Sequence, residues 1–359
     1  MKSPSKYLIL LVALFVVSSM EIIIAQTTTM YVGTYTDKSD SKGVYIYDFD
    51  ENTGNAVLQK TISMSNPSFL VRNGDILYAV NEDVQGMVTA YDLKNSQVLN
   101  TFSTDGMHPC HIALSPKDPI AVVSNYSSGS LCLFSLQADG SIKAKDDFLK
   151  FGGSSINKSR QGESHIHSAF FTKDGSQVFV SDLGADLIYI FEIQKDAKRY
   201  KFHQVGAIKT KAGGGPRHLA FSKDEKTIYS ILELTGEIEV FQKNHEIWTS
   251  RQVQPMYPSD FDGEHGGADI KLSKDGKTLY ATNRGTANLL ATYQVNSKGL
   301  LSLKNIQSVK GDSPRNVQIS PKEKVVLISN QNSNNVTIIP TRGSNTLNIL
   351  IPKPVCVIF

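Results

Sequence analysis

The sequence is poor in cysteine and tryptophan, with three of the first and one of the second in 359 residues. Cys110, Cys132 and Cys356 are odd in number and include no CxxC pair or disulfide-framework spacing, which argues against a small cross-linked scaffold or a cysteine-based zinc motif. Each lies in or beside an apolar, strand-like run, so buried thiols are expected; pairing of two of them is the alternative in an exported protein. Basic runs are missing as well. Net charge is +3, spread along the chain, and nothing points to nucleic acid as a partner. Neither HxxxH nor HExxH occurs, which removes the common local signatures of a histidine metal site. Convincing helical periodicity is also absent, leaving short β-rich runs.

Only the first 25 residues break that texture. Lys2 and Lys6 flank the start of an apolar run from Tyr7 to Ile24, interrupted at Ser18, Ser19 and Glu21, and the small Ala25 precedes polar Gln26 and Thr27–Thr29. A basic start, apolar middle and small-residue exit describe a secretory signal peptide. The run approaches the about 20 residues that span a bilayer, so retention as an anchor is the alternative. Glu21 and the polar stretch that follows favour cleavage. The expected organisation is a signal over residues 1–25 and one domain over 26–359, in a periplasmic or secreted protein without stable membrane association after cleavage.

The remainder is a repeat. Cys110–Ser115, His167–Thr172, Arg217–Ser222, Ala268–Ser273 and Arg315–Ser320 share one phrase, and their last positions step by 57, 50, 51 and 47. Turns such as Lys173-Asp174-Gly175 and Lys274-Asp275-Gly276 follow. A second β-rich run comes next (120–124, 178–181, 227–231, 278–282, 325–329), then a third (130–136, 187–193, 237–241, 289–295, 335–339). Short strands at a period near 50 indicate the four-stranded blades of a β-propeller. This architecture escapes the size limit of a single core, because each unit packs only on its neighbours. Asn66–Val71, 76–80 and 88–93 add a sixth unit. The seventh is split: Lys353–Phe359 matches a first strand, while 30–35 and 44–49 match the second and third. The expected fold is all-β, a seven-bladed propeller with one blade closed by the C-terminal strand and the N-terminal strands, which leaves no long open sheet edge.

Sites in such a ring form where loops of several blades converge on one mouth of the central channel. Two repeat positions are placed to line it. One lies at the start of the first strand and holds His108 and His111, His165 and His167, Arg217 and His218, His265 and Asp269, then Arg315 and Asn316. The other ends the second strand, at Asn81-Glu82, Asn125-Tyr126, Asp182-Leu183, Leu232-Glu233, Asn283-Arg284 and Asn330-Gln331. Asn or Asp at a strand end commonly caps a turn, and Asn81, Asn125, Asp182, Asn283 and Asn330 suit that role. Capping does not require a charge at the next position, so Glu233 and Arg284, with Glu82 behind them, point to function. His111 and His218 suit structural hydrogen bonding. His165 and His167 share a strand face, which fits either a metal pair or a proton-transfer pair; with no third ligand at local spacing, acid–base use is the better fit.

Tyr31–Thr36, Ser41–Tyr45, Asn66–Leu70, Leu77–Glu82, His108–His111, Asn125–Ser130, Gly215–His218, Asn283–Gly285 and Pro314–Asn316 together resemble the lactonase family of seven-bladed propellers. That family includes the 6-phosphogluconolactonases and the fungal carboxymuconate lactonizing enzymes, and the match extends over essentially the whole chain after the signal. The resemblance implies chemistry on a lactone ring without metal or organic cofactor. It also implies a site of one histidine, two arginines and a glutamate, which fall on His167 (or His165), Arg217, Arg284 and Glu233. Substrate contacts are then expected from His165, His111, Glu82, Asn125 and Arg315. Leu232 before the glutamate, and His265 before Gly266-Gly267, depart from the family pattern.

Ester hydrolysis needs a base for water and donors for the oxyanion. Glu233 or His167 supplies the first; Arg217 and Arg284 supply the second and bind a small anionic lactone or sugar acid through their planar forks. A cycloisomerase holding a dicarboxylate, and a non-catalytic ligand-binding propeller, are the alternatives. The split blade yields a test. Deleting the last six residues is expected to abolish cooperative thermal unfolding, and a truncated chain that melts normally would refute the closure.

Overall fold

The computed structural model describes residues 27–359, so the expected signal segment lies outside the described residues. They form seven four-stranded antiparallel sheets. In chain order, blade 1 covers residues 70–103, blade 2 covers 109–150, blade 3 covers 166–209, blade 4 covers 216–255, blade 5 covers 267–308 and blade 6 covers 314–350. Blade 7 is split as expected. Its inner strand, Pro354–Ile358, pairs antiparallel with Thr28–Thr34, and the sheet continues through Gly43–Phe49 to Ala56–Ser63. The outermost strands, such as Ile142–Lys150 and Arg199–Lys209, are largely half-buried or exposed. With one wet face they carry no repeated apolar phrase.

Successive side chains of a strand point to opposite faces of its sheet, and in this ring both faces are covered. Ile228 packs toward blade 3 with Phe179 and Ile188, while its neighbour Tyr229 packs toward blade 5 with Ile270 and Leu279. A strand covered on both sides reads as a continuous apolar run, and Thr227–Leu232 is buried along its whole length. Seven buried clusters result among the described residues, one between each pair of adjacent blades, the pairs on either side of the split blade included. All three cysteines are buried, unpaired thiols. Burial raises Cys132 and Cys356 to about 12.

The inner strands of blades 2 to 6 share an irregularity at one end. Pairing with the second strand slips at Pro109/His111, Ile166/Ser168, Pro216/Leu219, Gly267/Ile270 and Pro314/Asn316. A bulge leaves its extra residue out of the ladder and re-aims it. The residues skipped here are Cys110, His167, Arg217 with His218, Ala268 with Asp269, and Arg315. One backbone device, repeated around the ring, therefore lifts His167, Arg217, His218, Asp269 and Arg315 out of the ladder.

The strand-end residues act as caps. Asn81 Nδ2 donates to Ser65 O at 2.7 Å, Asp182 Oδ1 accepts from His165 N at 2.9 Å, and Asn283 Oδ1 accepts from Gly266 N at 2.9 Å. Asn125 and Asn330 donate to hydroxyls in the adjacent strand, Ser130 Oγ at 3.1 Å and Thr337 Oγ1 at 2.8 Å. Leu232 has no polar atom to offer, and blade 4 borrows its cap from blade 3. Asp186, almost fully buried, accepts from Gly213 N and Gly215 N, each at 2.7 Å, and from Gln161 Nε2 at 2.8 Å. Gly215 sits at φ 68°, a conformation glycine adopts without steric cost. That turn delivers Arg217. Replacing Asp186 with Ala strands three donors and is expected to cost about 2–4 kcal/mol, read as a lower urea midpoint; a midpoint equal to that of the parent protein would show that the cap is dispensable.

Candidate active site

A cavity of about 560 Å³ opens at the channel mouth, lined by Glu82, Tyr126, Arg160, His167, Glu233, Arg284 and Arg315 among others. At its floor, three arginines converge on one carboxylate. Backbone bonds fix the carboxylate in place: Glu233 N donates to Gly215 O at 2.8 Å, and Gly267 N donates to Glu233 O at 2.9 Å. Arg217 Nε reaches Glu233 Oε2 at 2.9 Å and Arg284 Nη2 reaches the same oxygen at 2.8 Å. Arg160 Nη2 reaches Oε1 at 2.6 Å and also donates to Tyr126 Oη at 3.2 Å. Arg217 donates further to Ala268 O, and Arg284 to Gly266 O at 3.2 Å.

Across the mouth, Glu82 forms a second, looser cluster. Its Oε2 accepts from Tyr35 Oη at 2.8 Å and from Ser68 Oγ, and Arg315 Nη2 stands 3.6 Å from its Oε1. The Arg315 guanidinium lies over the Tyr35 ring at 5.2 Å. This group joins blades 1, 6 and 7 across the closure of the ring. The two clusters together set four arginines against two glutamates.

Burial alone would raise the Glu233 pKa, but the charges of Arg284, Arg217 and Arg160 more than reverse it and hold the carboxyl well below the usual range. Glu233 is therefore ionised and engaged on both oxygens. Burial, reinforced by Arg284 and Arg315, lowers Arg217 to about 10, which leaves it charged at neutral pH. His167 is pushed well below its ordinary value by burial and then by Arg217 and its cationic neighbours. It stands in the cavity as a neutral imidazole.

Of the nine residues expected from sequence, His167, Glu233, Arg284, Glu82 and Arg315 line the cavity. Arg217 does not. It is 2% exposed and lies behind Glu233, which corrects the expectation that it grips substrate. His165 stands beside the mouth, stacked on Tyr126 with ring centroids 4.5 Å apart. His111 also falls short of the cavity, because its ring is inside the channel between Phe69 at 4.2 Å and Phe170 at 4.9 Å. Asn125 is buried as a cap. Among the described residues, no group of three His, Cys, Asp or Glu side chains stands close enough to hold a metal ion.

Sequence reasoning missed Arg160. It sits on the connection between blades 2 and 3, outside every repeat position, and only its neighbours in space identify it. Tyr126 carried a signal, because it occupies the same post-strand position as Glu82, Glu233 and Arg284. A larger groove of about 940 Å³ runs along the opposite ends of the strands, but it is lined by turn residues such as the exposed Asp275 and Lys324 and holds no comparable convergence of buried charge.

Fold and site define a seven-bladed propeller with a cationic, histidine-bearing mouth suited to a small anion. The sequence profile described as "Lactonase, 7-bladed beta-propeller" matches residues 29–359, and the chain belongs to that family. It is similar to a 6-phosphogluconolactonase of Formosa agariphila, 34% identical over 86% of this chain and 91% of that protein. A 6-phosphogluconolactonase of Bacillus subtilis is 31% identical over 92% of this chain and 97% of that protein. Among solved structures, the periplasmic gluconolactonase of Pseudomonas aeruginosa matches with a TM-score of 0.85 and 29% identity, over 92% of this chain and 98% of that one. The expectation of a lactone-hydrolysing enzyme stands with these relatives.

The buried imidazoles give the fold a pH limit. His111, His167 and His218 all lie below the ordinary histidine value of 6.5, burial being the first cause in each, with His218 at about 4. The unfolded chain takes up protons near 6.5 and the folded chain does not until lower pH, so stability is full above 6.5 and is lost as pH falls toward 4. Urea midpoints measured from about pH 8 down to about pH 4 should decline across that window; a flat profile would contradict the buried neutral state.

Proposed function

We propose that the chain hydrolyses the lactone of an anionic sugar acid at this mouth, with 6-phosphogluconolactone as the leading substrate. The observation that carries the reading is the excess of arginine over glutamate around a neutral His167. The two arginine charges left unmatched suit a phosphate or carboxylate, which a guanidinium fork meets bidentately. The names of the relatives from Formosa agariphila and Bacillus subtilis support the substrate class. Arg160, Arg284 and Arg315 bind the anion and the carbonyl oxygen. His167 takes a proton from water as the water oxygen bonds to the carbonyl carbon; the ring C–O bond then breaks, and the alkoxide recovers that proton.

Glu233 is the wrong base. Held ionised by three guanidinium groups, it has little affinity left for a proton. Its role is to hold Arg160 and Arg284 in register, with Arg217 positioning it from behind. An arriving anion also cancels part of the positive field on His167, which raises the basicity of the imidazole when substrate is present.

We infer export as well, supported by the pattern of residues 1–25 and by the similarity to a periplasmic gluconolactonase. Both phosphorylated and plain gluconolactone therefore belong in the assay. On the preferred one, Arg160→Ala should raise KM about 10-fold with a small effect on kcat, and Glu233→Gln should lower kcat/KM about 100-fold. Unchanged kcat/KM in both variants would overturn the assignment, and formation rather than hydrolysis of a lactone would move it to the cycloisomerase class.

A further inference from the structure

We propose that His218 and Asp269, buried below the mouth, form a proton-holding pair that takes the proton from His167 during lactone hydrolysis and returns it to the leaving oxygen. The inference rests on the lactonase reading of the mouth and deepens it. Nothing in the family match or in the named relatives assigns either residue.

The two residues come from neighbouring bulges, in blades 4 and 5. His218 Nδ1 lies 2.7 Å from Asp269 Oδ1, with side chains 5% and 1% exposed. Asp269 also accepts from Asn316 Nδ2 at 2.6 Å, Val317 N at 3.1 Å and Ile270 N at 2.8 Å. Burial opposes the Asp269 charge, but the Lys271 charge and the hydrogen bonds from His218 and Ile270 N outweigh it and keep the carboxylate ionised. An acceptor-only carboxylate on Nδ1 fixes the tautomer. The proton of neutral His218 is on Nδ1, so Nε2 presents a bare lone pair.

That lone pair has no partner. His218 Nε2 is buried and makes no hydrogen bond. Ten other buried side-chain atoms among the described residues share that state, nine of them hydroxyl or amide groups, but a basic nitrogen left bare next to the imidazole of the mouth asks for an explanation of its own. The ring stands nearly perpendicular to His167, with centroids 5.3 Å apart, within range of a direct or one-water transfer. His111 is the other ring on the same side, at 5.4 Å. Its Nδ1 accepts from Ala169 N at 3.4 Å, so its own proton is on Nε2 and it does not compete for one. The remaining charged groups facing the pair are Arg217, next in the chain, and Lys271, 4.0 Å from Asp269 Oδ1.

The transfer balances simply. His167 loses the proton it took from water, His218 Nε2 gains it, and the imidazolium that forms is paired with the Asp269 carboxylate. Reversal of the same step supplies the proton to the alkoxide. A purely structural His218–Asp269 pair needs its Nδ1 bond but has no use for a bare, buried nitrogen on a ring next to His167.

His218→Gln keeps a donor for Asp269 while replacing the basic ring nitrogen with an amide that does not take up a proton. It should lower kcat about 10- to 100-fold, the low end of what one proton-transfer partner contributes, leave KM within about two-fold, and change the acid limb of the kcat–pH profile. Nitrogen-15 NMR of the wild-type chain should show His218 protonated on Nδ1 and bare on Nε2. A folded His218→Gln variant with wild-type kcat and pH profile, or a wild-type spectrum with the proton on Nε2, would overturn the relay. If that variant does not fold, Asp269→Asn and the wild-type spectrum decide by the same criteria. An inactive wild-type chain on every lactone instead brings down the reading of the mouth, and the relay with it.

Discussion

Every blade of this ring has two apolar faces and only its neighbours to cover them. That constraint governs the rest. A sheet in an open row would leave its end faces wet, whereas seven sheets in a circle bury all of them, one cluster per junction. Closing the circle brings the inner strands together around one axis, and the polar starts of those strands are forced into a shared space. The chemistry is concentrated there because the hydrophobic problem has one geometric solution.

Crowding charge at the axis has its own cost. A buried arginine such as Arg217, left without a partner, would cost several kcal/mol, and three guanidinium groups around one point repel one another. Glu233 resolves both difficulties by accepting from all three. The bulges make the arrangement possible, since each lifts a side chain out of the ladder without breaking the strand that carries it. The result is closed on the blade 4 side, where Arg217 and Glu233 are nearly inaccessible, and more open on the Arg160 side, where the guanidinium side chain is 45% exposed. On the proposed reading, anion binding and charge storage fall to different arginines of one cluster.

The fold was legible because a strand covered on both sides writes a continuous apolar run, and the run recurs. The split blade was legible for the same reason. Within the site, Glu82, Glu233 and Arg284 were readable as charges following a strand end, where a cap explains the residue before but not the charge after. Arg217 was found but misjudged, since sequence gives its type and its edge of the sheet but not its depth behind Glu233. Arg160 was invisible, being set by the path of a non-repeating connection. His111 and Asn125 occupy true repeat positions, yet the local turn of each strand directs one into an aromatic cluster and the other into a cap. The Leu232 departure was visible, but its compensation by Asp186 of the preceding blade was not, because it joins residues that only the folded ring makes neighbours.

The sheet shared by the two ends of the chain has a consequence in time. Thr28–Thr34 is among the first parts of the domain to be synthesised, and its inner partner, Pro354–Ile358, is the last. Until then six blades can stack, but the arc stays open at the junction where Arg315, Tyr35 and Glu82 meet. The growing polypeptide therefore carries an incomplete mouth until Pro354–Ile358 has been made, and the circle of blades closes only with that strand.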